Sequence, residues 1–192
     1  MTTANKVTSA RLLLVPVFIA LVVRYVGGGG ESCRVGAILC FALASVGDAL
    51  DGYIARRYNQ RTEAGAILDA TADKLLLVSA LVMLCLDARP QFTPIPLWLV
   101  LMVVTREVIL LGGMLAIHFT AGKFVARPRL AGKLATVLQM AAVLWTLLKW
   151  PAAVLPFLTI GSGAFILISG VGYLYDFTCQ FRARPQTQIK ET

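Results

Sequence analysis

The hydrophobic pattern of the chain is a series of long apolar stretches separated by short polar or Gly- and Pro-containing segments. Each stretch is close to the roughly 20 residues that an α-helix needs to cross a bilayer. The pattern predicts helices near 9–26, 34–54, 66–86, 95–119, 132–149 and 152–178. We therefore expect an all-α integral membrane protein with six transmembrane helices. One membrane domain would cover residues 1–180, followed by a polar C-terminal tail over 181–192.

Composition supports a membrane protein. Of the 192 residues, 58% are hydrophobic and 15% are charged, whereas soluble domains have roughly half apolar and a quarter charged residues. The first apolar run, from Leu12 to Val23, lacks a small-residue cleavage site and is followed directly by further apolar runs. It is therefore predicted to be a retained helix and not a signal peptide.

The net charge of +8 is distributed unevenly along the chain. With a cytoplasmic N-terminus, twelve of the eighteen Lys and Arg residues fall in inner segments and four in outer segments. This asymmetry follows the positive-inside rule, so we expect both termini on the cytoplasmic face of the inner membrane. It also explains the basic balance without nucleic acid as a partner, and it would favour anionic lipids or anionic substrates.

Four aspartates interrupt the apolar pattern of the second and third helices: Asp48, Asp51, Asp69 and Asp73. The first pair is three residues apart and the second pair four, so each pair shares one face of its helix. Because a short cytoplasmic connection joins the two helices, the acidic faces can oppose one another in a polar cavity open to the cytoplasm. Converging carboxylates repel unless cations compensate them. An all-oxygen ligand set suits magnesium, manganese or calcium better than zinc.

Small residues lie between these carboxylates, at Gly52, Ala55 and Gly65. They would leave room on the acidic face for a bulky ligand. Small residues in membrane helices also allow close helix packing, which is the alternative explanation.

The complete pattern, D-x2-D-G-x2-A-R followed after eight residues by G-x3-D-x3-D, resembles the signature of the CDP-alcohol phosphotransferases. Its positions are Asp48, Asp51, Gly52, Ala55, Arg56, Gly65, Asp69 and Asp73. The resemblance extends to the six-helix plan and to the N-terminal sequence Asn5-x2-Thr8-x2-Arg11, so it covers most of the chain.

The resemblance implies an enzyme that moves a substituted phosphate from a CDP-linked donor to an alcohol and releases CMP. Two Mg²⁺ or Mn²⁺ ions would be held by the four aspartates, with Asp73 also acting as the general base. The CDP-diacylglycerol donor would contact seven residues: Asn5, Thr8, Gly52, Ala55, Arg56, Thr62 and Gly65. Helix N-capping is the alternative explanation for Asn5, Thr8 and Thr62. Family members are typically homodimers, and the small-residue faces permit this.

The acceptor alcohol depends on the second half of the chain. Thr105-Arg106-Glu107 interrupts the apolar fourth helix, where buried ions indicate either a function or an internal salt bridge. Arg106, Arg129 and Lys133 could form a basic pocket for the phosphate of a phosphorylated alcohol. A basic pocket favours glycerol 3-phosphate as the acceptor. The sequence T-R-E followed by G-K-x2-T-x2-Q resembles the bacterial phosphatidylglycerophosphate synthases. A proline common in that subgroup's D-P-x-A-D-K is replaced here by Ala70.

Other acceptors and another class of protein stay open at this stage. Enzymes that make cardiolipin from phosphatidylglycerol have a similar fourth helix, and an inositol phosphate acceptor would also need a basic pocket. A polytopic transporter that uses its acids as a proton or cation relay is the alternative class. Such a relay predicts acids spread over several helices, whereas here all four lie on two adjacent helices. The preferred metal and the acyl chains do not follow from the sequence.

Overall fold

Six α-helices make up the part of the chain that the structure describes. This computed structural model describes the backbone of residues 3–58, 63–86, 90–121 and 130–182, and the side chains of 13–47, 74–86, 90–110, 112 and 130–172. The helices are α1 (Thr3–Val26), α2 (Glu31–Tyr58), α3 (Glu63–Leu86), α4 (Leu97–Ala121), α5 (Leu130–Leu147) and α6 (Leu155–Arg182). The predicted all-α fold with six helices is confirmed.

The first three helices, α1 to α3, are longer than the apolar runs that predict them. α1 begins at Thr3 instead of residue 9, and α2 continues to Tyr58 instead of residue 54. Hydropathy detects only the apolar part of a helix, while Arg, Lys, Glu and Ala continue it because they also have high helix propensity. α6 runs to Arg182, past the predicted domain boundary at 180, and residues 183–192 of the predicted tail lie outside the described residues.

The helices run alternately up and down, and three of the connections meet at one end of the bundle. At this end α1 joins α2, α3 joins α4 and α5 joins α6. We call it the closed end. α1 packs against α2 and α3, α5 packs along α6, and α4 lies against α3 and α6. The largest side chains buried between them include Phe18, Phe41, Leu81, Leu84 and Leu99. At the opposite end α2 and α4 end, and α3 and α5 begin.

A polar network fastens the closed end. Tyr25 donates a hydrogen bond to Glu31 Oε1 at 2.8 Å, and Arg34 donates to Glu31 Oε2. Arg34 also donates to the backbone carbonyl of Leu147 at 3.1 Å, and Lys149 donates to the Tyr25 hydroxyl. The hydrogen bond from Arg34, followed by that from Tyr25, lowers the pKa of the Glu31 carboxyl below its ordinary value. Glu31 therefore stays ionised and joins α1, α2 and the end of α5.

Two helices end at this network in left-handed backbone conformations. α1 ends through Gly28, with φ of 95°, and α5 ends through Lys149, with φ of 56°. The Trp150 N–H donates to the Trp145 carbonyl and the Lys149 N–H to the Thr146 carbonyl, the pattern of a Schellman cap. A non-Gly residue there costs roughly 1–2 kcal/mol. At Lys149 this cost is offset by the ammonium, which lies 5.0 Å from the centroid of the Tyr25 ring.

The outer surface of the described bundle is apolar. Large exposed side chains include Leu43, Leu101, Phe157, Leu167 and Val171, on three different helices. Contiguous apolar surface of this kind is rare on soluble monomers and is typical of helices in contact with lipid. Among the described residues, two stretches, Leu130–Leu147 and Leu155–Gly172, are long and apolar enough to cross a membrane. Shorter apolar stretches occur at Leu13–Val26 and Lys74–Leu86.

Gly163 allows α6 to approach α4 closely. A Cβ atom at this position would come within 2.8 Å of Cζ3 and 3.3 Å of Cη2 of the Trp98 indole. Gly163→Ala is expected to lower stability by about 1–3 kcal/mol, because a rigid ring must move. Gly170→Ala is the matched control on the same helix, since its Cβ meets nothing within 4 Å. Thermal unfolding in detergent checks this, and equal melting temperatures for the two variants would contradict it.

Candidate active site

The four signature aspartates lie on the two consecutive helices α2 and α3. The backbone is helical throughout 48–58 and 63–73, so the spacings of three and four residues keep each pair on one helix face. Asp48 lies about three turns before the end of α2, and Asp73 about three turns after the start of α3. α2 packs against α3. The two acidic pairs therefore lie at matching depths from the α2–α3 connection.

The donor set on these helices fits a divalent metal centre. The side chains of residues 48–73 lie outside the described ones, and no group of three metal-ligating side chains occurs among those described. The fit rests on helical register and on chemistry: four carboxylates, with no thiolate or imidazole in the signature, suit Mg²⁺ or Mn²⁺.

The residues expected to contact the CDP donor come from three helices. Asn5 and Thr8 lie on α1, Gly52, Ala55 and Arg56 on α2, and Gly65 on α3. Thr62 lies outside the described residues. Because α1 begins at Thr3, Thr8 lies well inside the helix, and N-capping does not account for it.

An ion cluster joins α3 to α4. Arg106 Nη1 donates to Glu107 Oε1 at 2.9 Å, and the Lys74 ammonium forms an ion pair with Glu107 Oε2. The side chains of Arg106 and Glu107 are only 11% and 13% exposed, whereas that of Lys74 is 39% exposed. We call Lys74, Arg106 and Glu107 the ion cluster. It shows that the internal salt bridge considered for Arg106 exists, with Glu107 as its partner.

The ion cluster is not neutral and not fully hydrogen-bonded. Among the described side chains, its two cations and one anion leave a formal charge of +1, in a bundle whose surface is apolar. Arg106 Nε and Glu107 Oε2 are both buried and have no hydrogen-bond partner among the described residues; Oε2 has only its ion pair with Lys74. A buried donor without a partner costs free energy and commonly marks a place for a ligand or water. Arg106 therefore has the spare donor that the predicted phosphate site requires.

Lys74 belongs to this cluster although sequence reasoning gave it no role. It lies directly after Asp73, and its partner is 33 residues further along the chain, so no local spacing connects the two. One signal was available: Lys74 is a cation within an apolar helix, and Glu107 is the sole acid in the sequence of α4. Each is a charge within an apolar helix and therefore needed an oppositely charged partner.

The remaining residues expected to bind the acceptor lie elsewhere. Lys133 is exposed on α5, one turn before Thr136, whose hydroxyl donates to the Gly132 carbonyl at 3.1 Å. In the described part of the chain α4 and α5 do not pack directly on each other; α3 and α6 pack against both. Arg129 lies outside the described residues. The pocket formed by Arg106, Arg129 and Lys133 stays a prediction.

Comparison with known proteins decides the family. Residues 1–171 match the family described as CDP-alcohol phosphatidyltransferase. The chain belongs to this family. The resemblance seen in the sequence is thus confirmed, and the chain is identified as a phosphatidyltransferase-type enzyme of a membrane-bound family.

Individual CDP-alcohol phosphatidyltransferases are similar over much of the chain. A Bacillus subtilis protein named CDP-diacylglycerol-glycerol-3-phosphate 3-phosphatidyltransferase is 40% identical over 148 residues, 72% of each chain. A Mycobacterium tuberculosis protein named probable phosphatidylglycerophosphate synthase is 37% identical over 140 residues, 73% of this chain and 63% of its own. A Streptomyces coelicolor protein named cardiolipin synthase (CMP-forming) is 41% identical over 111 residues, 58% of this chain and 49% of its own.

Proposed function

We propose that the protein transfers the phosphatidyl group of CDP-diacylglycerol to glycerol 3-phosphate, forming phosphatidylglycerophosphate and releasing CMP. The observation that carries this proposal is the 40% identity, over 72% of both chains, to the Bacillus subtilis enzyme whose name states that reaction. The spare donor on Arg106 supports an acceptor that carries a phosphate.

Four aspartates, Asp48, Asp51, Asp69 and Asp73, would hold two Mg²⁺ or Mn²⁺ ions. When bound, such ions neutralise the pyrophosphate and stabilise the charge that develops on the leaving CMP. Arg56, two residues before the end of α2 at Tyr58, would place its forked guanidinium on a donor phosphate. Gly52, Ala55 and Gly65 would leave room for the cytidine, and Asn5, Thr8 and Thr62 would contact the same nucleotide.

Asp73 is the proposed general base. It would take the proton from the primary hydroxyl of glycerol 3-phosphate as that oxygen bonds to the phosphorus of the phosphatidyl group. The bond from this phosphorus to the oxygen of CMP breaks, and CMP leaves with the bonding electrons. An alcohol is a poor nucleophile at neutral pH, so a positioned base accelerates the attack. Holding donor and acceptor in line adds a large entropic advantage.

The acceptor phosphate would bind Arg106, with Arg129 and Lys133 as further cations. The ion cluster has a formal charge of +1 and an unused guanidinium donor, both of which a phosphate would satisfy. Arg106 lies in the second half of the chain, so acceptor binding and the aspartate signature would come from separate helices.

The proposed setting is the inner membrane. Six membrane-spanning helices, with both termini and a polar active-site cavity on the cytoplasmic side, follow from the apolar lengths and from the excess of Lys and Arg in the inner segments. This arrangement presents the site to soluble glycerol 3-phosphate and to the lipid donor together. We also propose a homodimer, for which the small-residue helix faces leave room.

Transfer to phosphatidylglycerol, which would make cardiolipin, is the second candidate. It is favoured by the 41% identity to the Streptomyces coelicolor protein. That similarity covers 58% of this chain, against 72% for the glycerol 3-phosphate enzyme. Because the longer match is to the glycerol 3-phosphate enzyme, glycerol 3-phosphate is the preferred candidate acceptor.

The release of CMP tests the proposal. With Mg²⁺ or Mn²⁺ present, the purified protein is expected to release CMP from CDP-diacylglycerol when glycerol 3-phosphate is added, and not when phosphatidylglycerol replaces it. Release that depends only on phosphatidylglycerol would favour the second candidate.

A further inference from the structure

We infer that Glu107 is a positioning residue for the acceptor: its carboxylate orients Arg106 and Lys74 so that their remaining donors face an incoming phosphate. This inference rests on the proposed transfer to glycerol 3-phosphate. It assigns a role to a residue that neither the signature nor the predicted basic pocket includes.

The first argument is the division of the Glu107 carboxylate between two cations. Oε1 accepts from Arg106 Nη1, and Oε2 faces the ammonium of Lys74 on the neighbouring helix. A forked pairing would occupy two guanidinium nitrogens with one carboxylate. Here a single guanidinium nitrogen is used, and Nε keeps its proton for another partner.

The second argument is charge. Among the described side chains, one carboxylate serves two cations, and the surplus positive charge lies beside side chains that are almost nine-tenths buried. Buried charge is costly unless it is paired. A phosphate brings the missing negative charge together with acceptor oxygens for Arg106 Nε and the free donors of Lys74. The ion cluster is thus arranged as a receptor that an anionic ligand completes.

The third argument is access. Lys74 is the most exposed member of the cluster, and Arg106 lies deeper beside Glu107. A small hydrophilic ligand can therefore meet the ammonium first and the guanidinium second. Lys74 also directly follows Asp73 in α3, so a phosphate bound to Lys74 would be held at the same level of the helix as the proposed base.

The fourth argument is what the two cations would do without Glu107. A lysine side chain is long and flexible, so without Glu107 the Lys74 ammonium would lose its fixed position beside Arg106. Arg106 would lose the acceptor that fixes its guanidinium plane. The acceptor site would then lose the orientation of both cations while the aspartate signature stayed intact.

Steady-state kinetics of Glu107→Gln tests this inference. The KM for glycerol 3-phosphate is expected to rise about tenfold, as for a lost hydrogen bond to a charged group. The KM for CDP-diacylglycerol should change by less than about twofold, because the donor site lies on other helices. Glu107→Asp keeps the charge on a shorter stem and is expected to give an intermediate KM for glycerol 3-phosphate.

The matched control is Glu31→Gln. Glu31 also bridges two cations, Arg34 on α2 and Lys149 just after α5, but at the closed end of the bundle, so its replacement should leave both KM values unchanged. If thermal unfolding shows that Glu107→Gln does not fold, the KM of Glu107→Asp for glycerol 3-phosphate is the test.

Two results would overturn the inference, and they are distinguishable. If the wild-type protein uses glycerol 3-phosphate and the folded Glu107 variants keep its KM, the inference fails and the proposed function stands. If the wild-type protein shows no turnover with glycerol 3-phosphate, the proposed function fails, and the inference fails with it.

Discussion

Asp73→Asn is expected to lower kcat by a factor of about 10² to 10⁴, the usual contribution of a positioned general base. Asparagine has nearly the same size and its amide oxygen can still bind a metal ion, but it cannot accept the proton of the attacking hydroxyl. The loss should appear in kcat, because the other residues proposed to bind donor and acceptor are unchanged. CMP release from CDP-diacylglycerol at saturating glycerol 3-phosphate measures it.

Asp87→Asn is the control for this variant. Asp87 directly follows Leu86, the last residue of α3. Its replacement by Asn is the same chemical change as Asp73→Asn, but it lies outside the signature. Its rate should stay within about twofold of wild type, as expected for a substitution away from the site. A rate for Asp73→Asn close to that of the control would rule out Asp73 as the base.

Removal of divalent metal is expected to abolish activity, and Mg²⁺ or Mn²⁺ should restore it. Four carboxylates cannot all stay ionised close together in a low-dielectric site without compensating cations. The same ions are proposed to stabilise the leaving CMP, so their loss affects both the site and the reaction. The measurement is CMP release after chelation and again after titration with each metal.

Asp51→Asn sharpens the metal test because it removes one proposed ligand charge and leaves Asp73 in place. Half-maximal activity should then require a higher metal concentration than in wild type. Glu31→Gln, which removes a carboxylate at the closed end, should leave the metal titration unchanged. Full activity after chelation, or identical titrations for Asp51→Asn and wild type, would contradict the metal assignment.

The fold could be predicted from the sequence largely through the lengths of the apolar runs. Runs of about 20 residues identify α1 to α6 because each must bury its backbone polar groups in its own hydrogen bonds. The same signal stops where polar residues begin, so it missed the start of α1 at Thr3 and the end of α2 at Tyr58. Helix propensity continues through such residues, but it is a weaker and less specific signal than apolar length.

Contacts between distant helices could not be predicted. Arg34 and Lys149 appeared in the sequence only as two of four positive charges on the outer side, yet both interact with Glu31 in the closed-end network. The pairing of Lys74 with Glu107 likewise depends on how α3 lies against α4. Local spacing determines which residues share a helix face, whereas the packing of the bundle determines which faces meet.

The aspartate signature was the part of the site most accessible to sequence reasoning. Asp48, Asp51, Asp69 and Asp73 lie at spacings that a helix converts directly into shared faces, and the described backbone of α2 and α3 is continuous through them. The acceptor pocket has no such local pattern. Arg106 and Lys133 lie on α4 and α5, and their relation depends on α3 and α6 between them.

The most direct test of the central claim is the mass of the product lipid formed from labelled CDP-diacylglycerol with a panel of acceptors. Glycerol 3-phosphate, phosphatidylglycerol, inositol phosphate and serine would each be offered to the purified protein with Mg²⁺ or Mn²⁺. The account predicts phosphatidylglycerophosphate from glycerol 3-phosphate and no lipid product from the other three. Cardiolipin formed from phosphatidylglycerol, with no product from glycerol 3-phosphate, would contradict it.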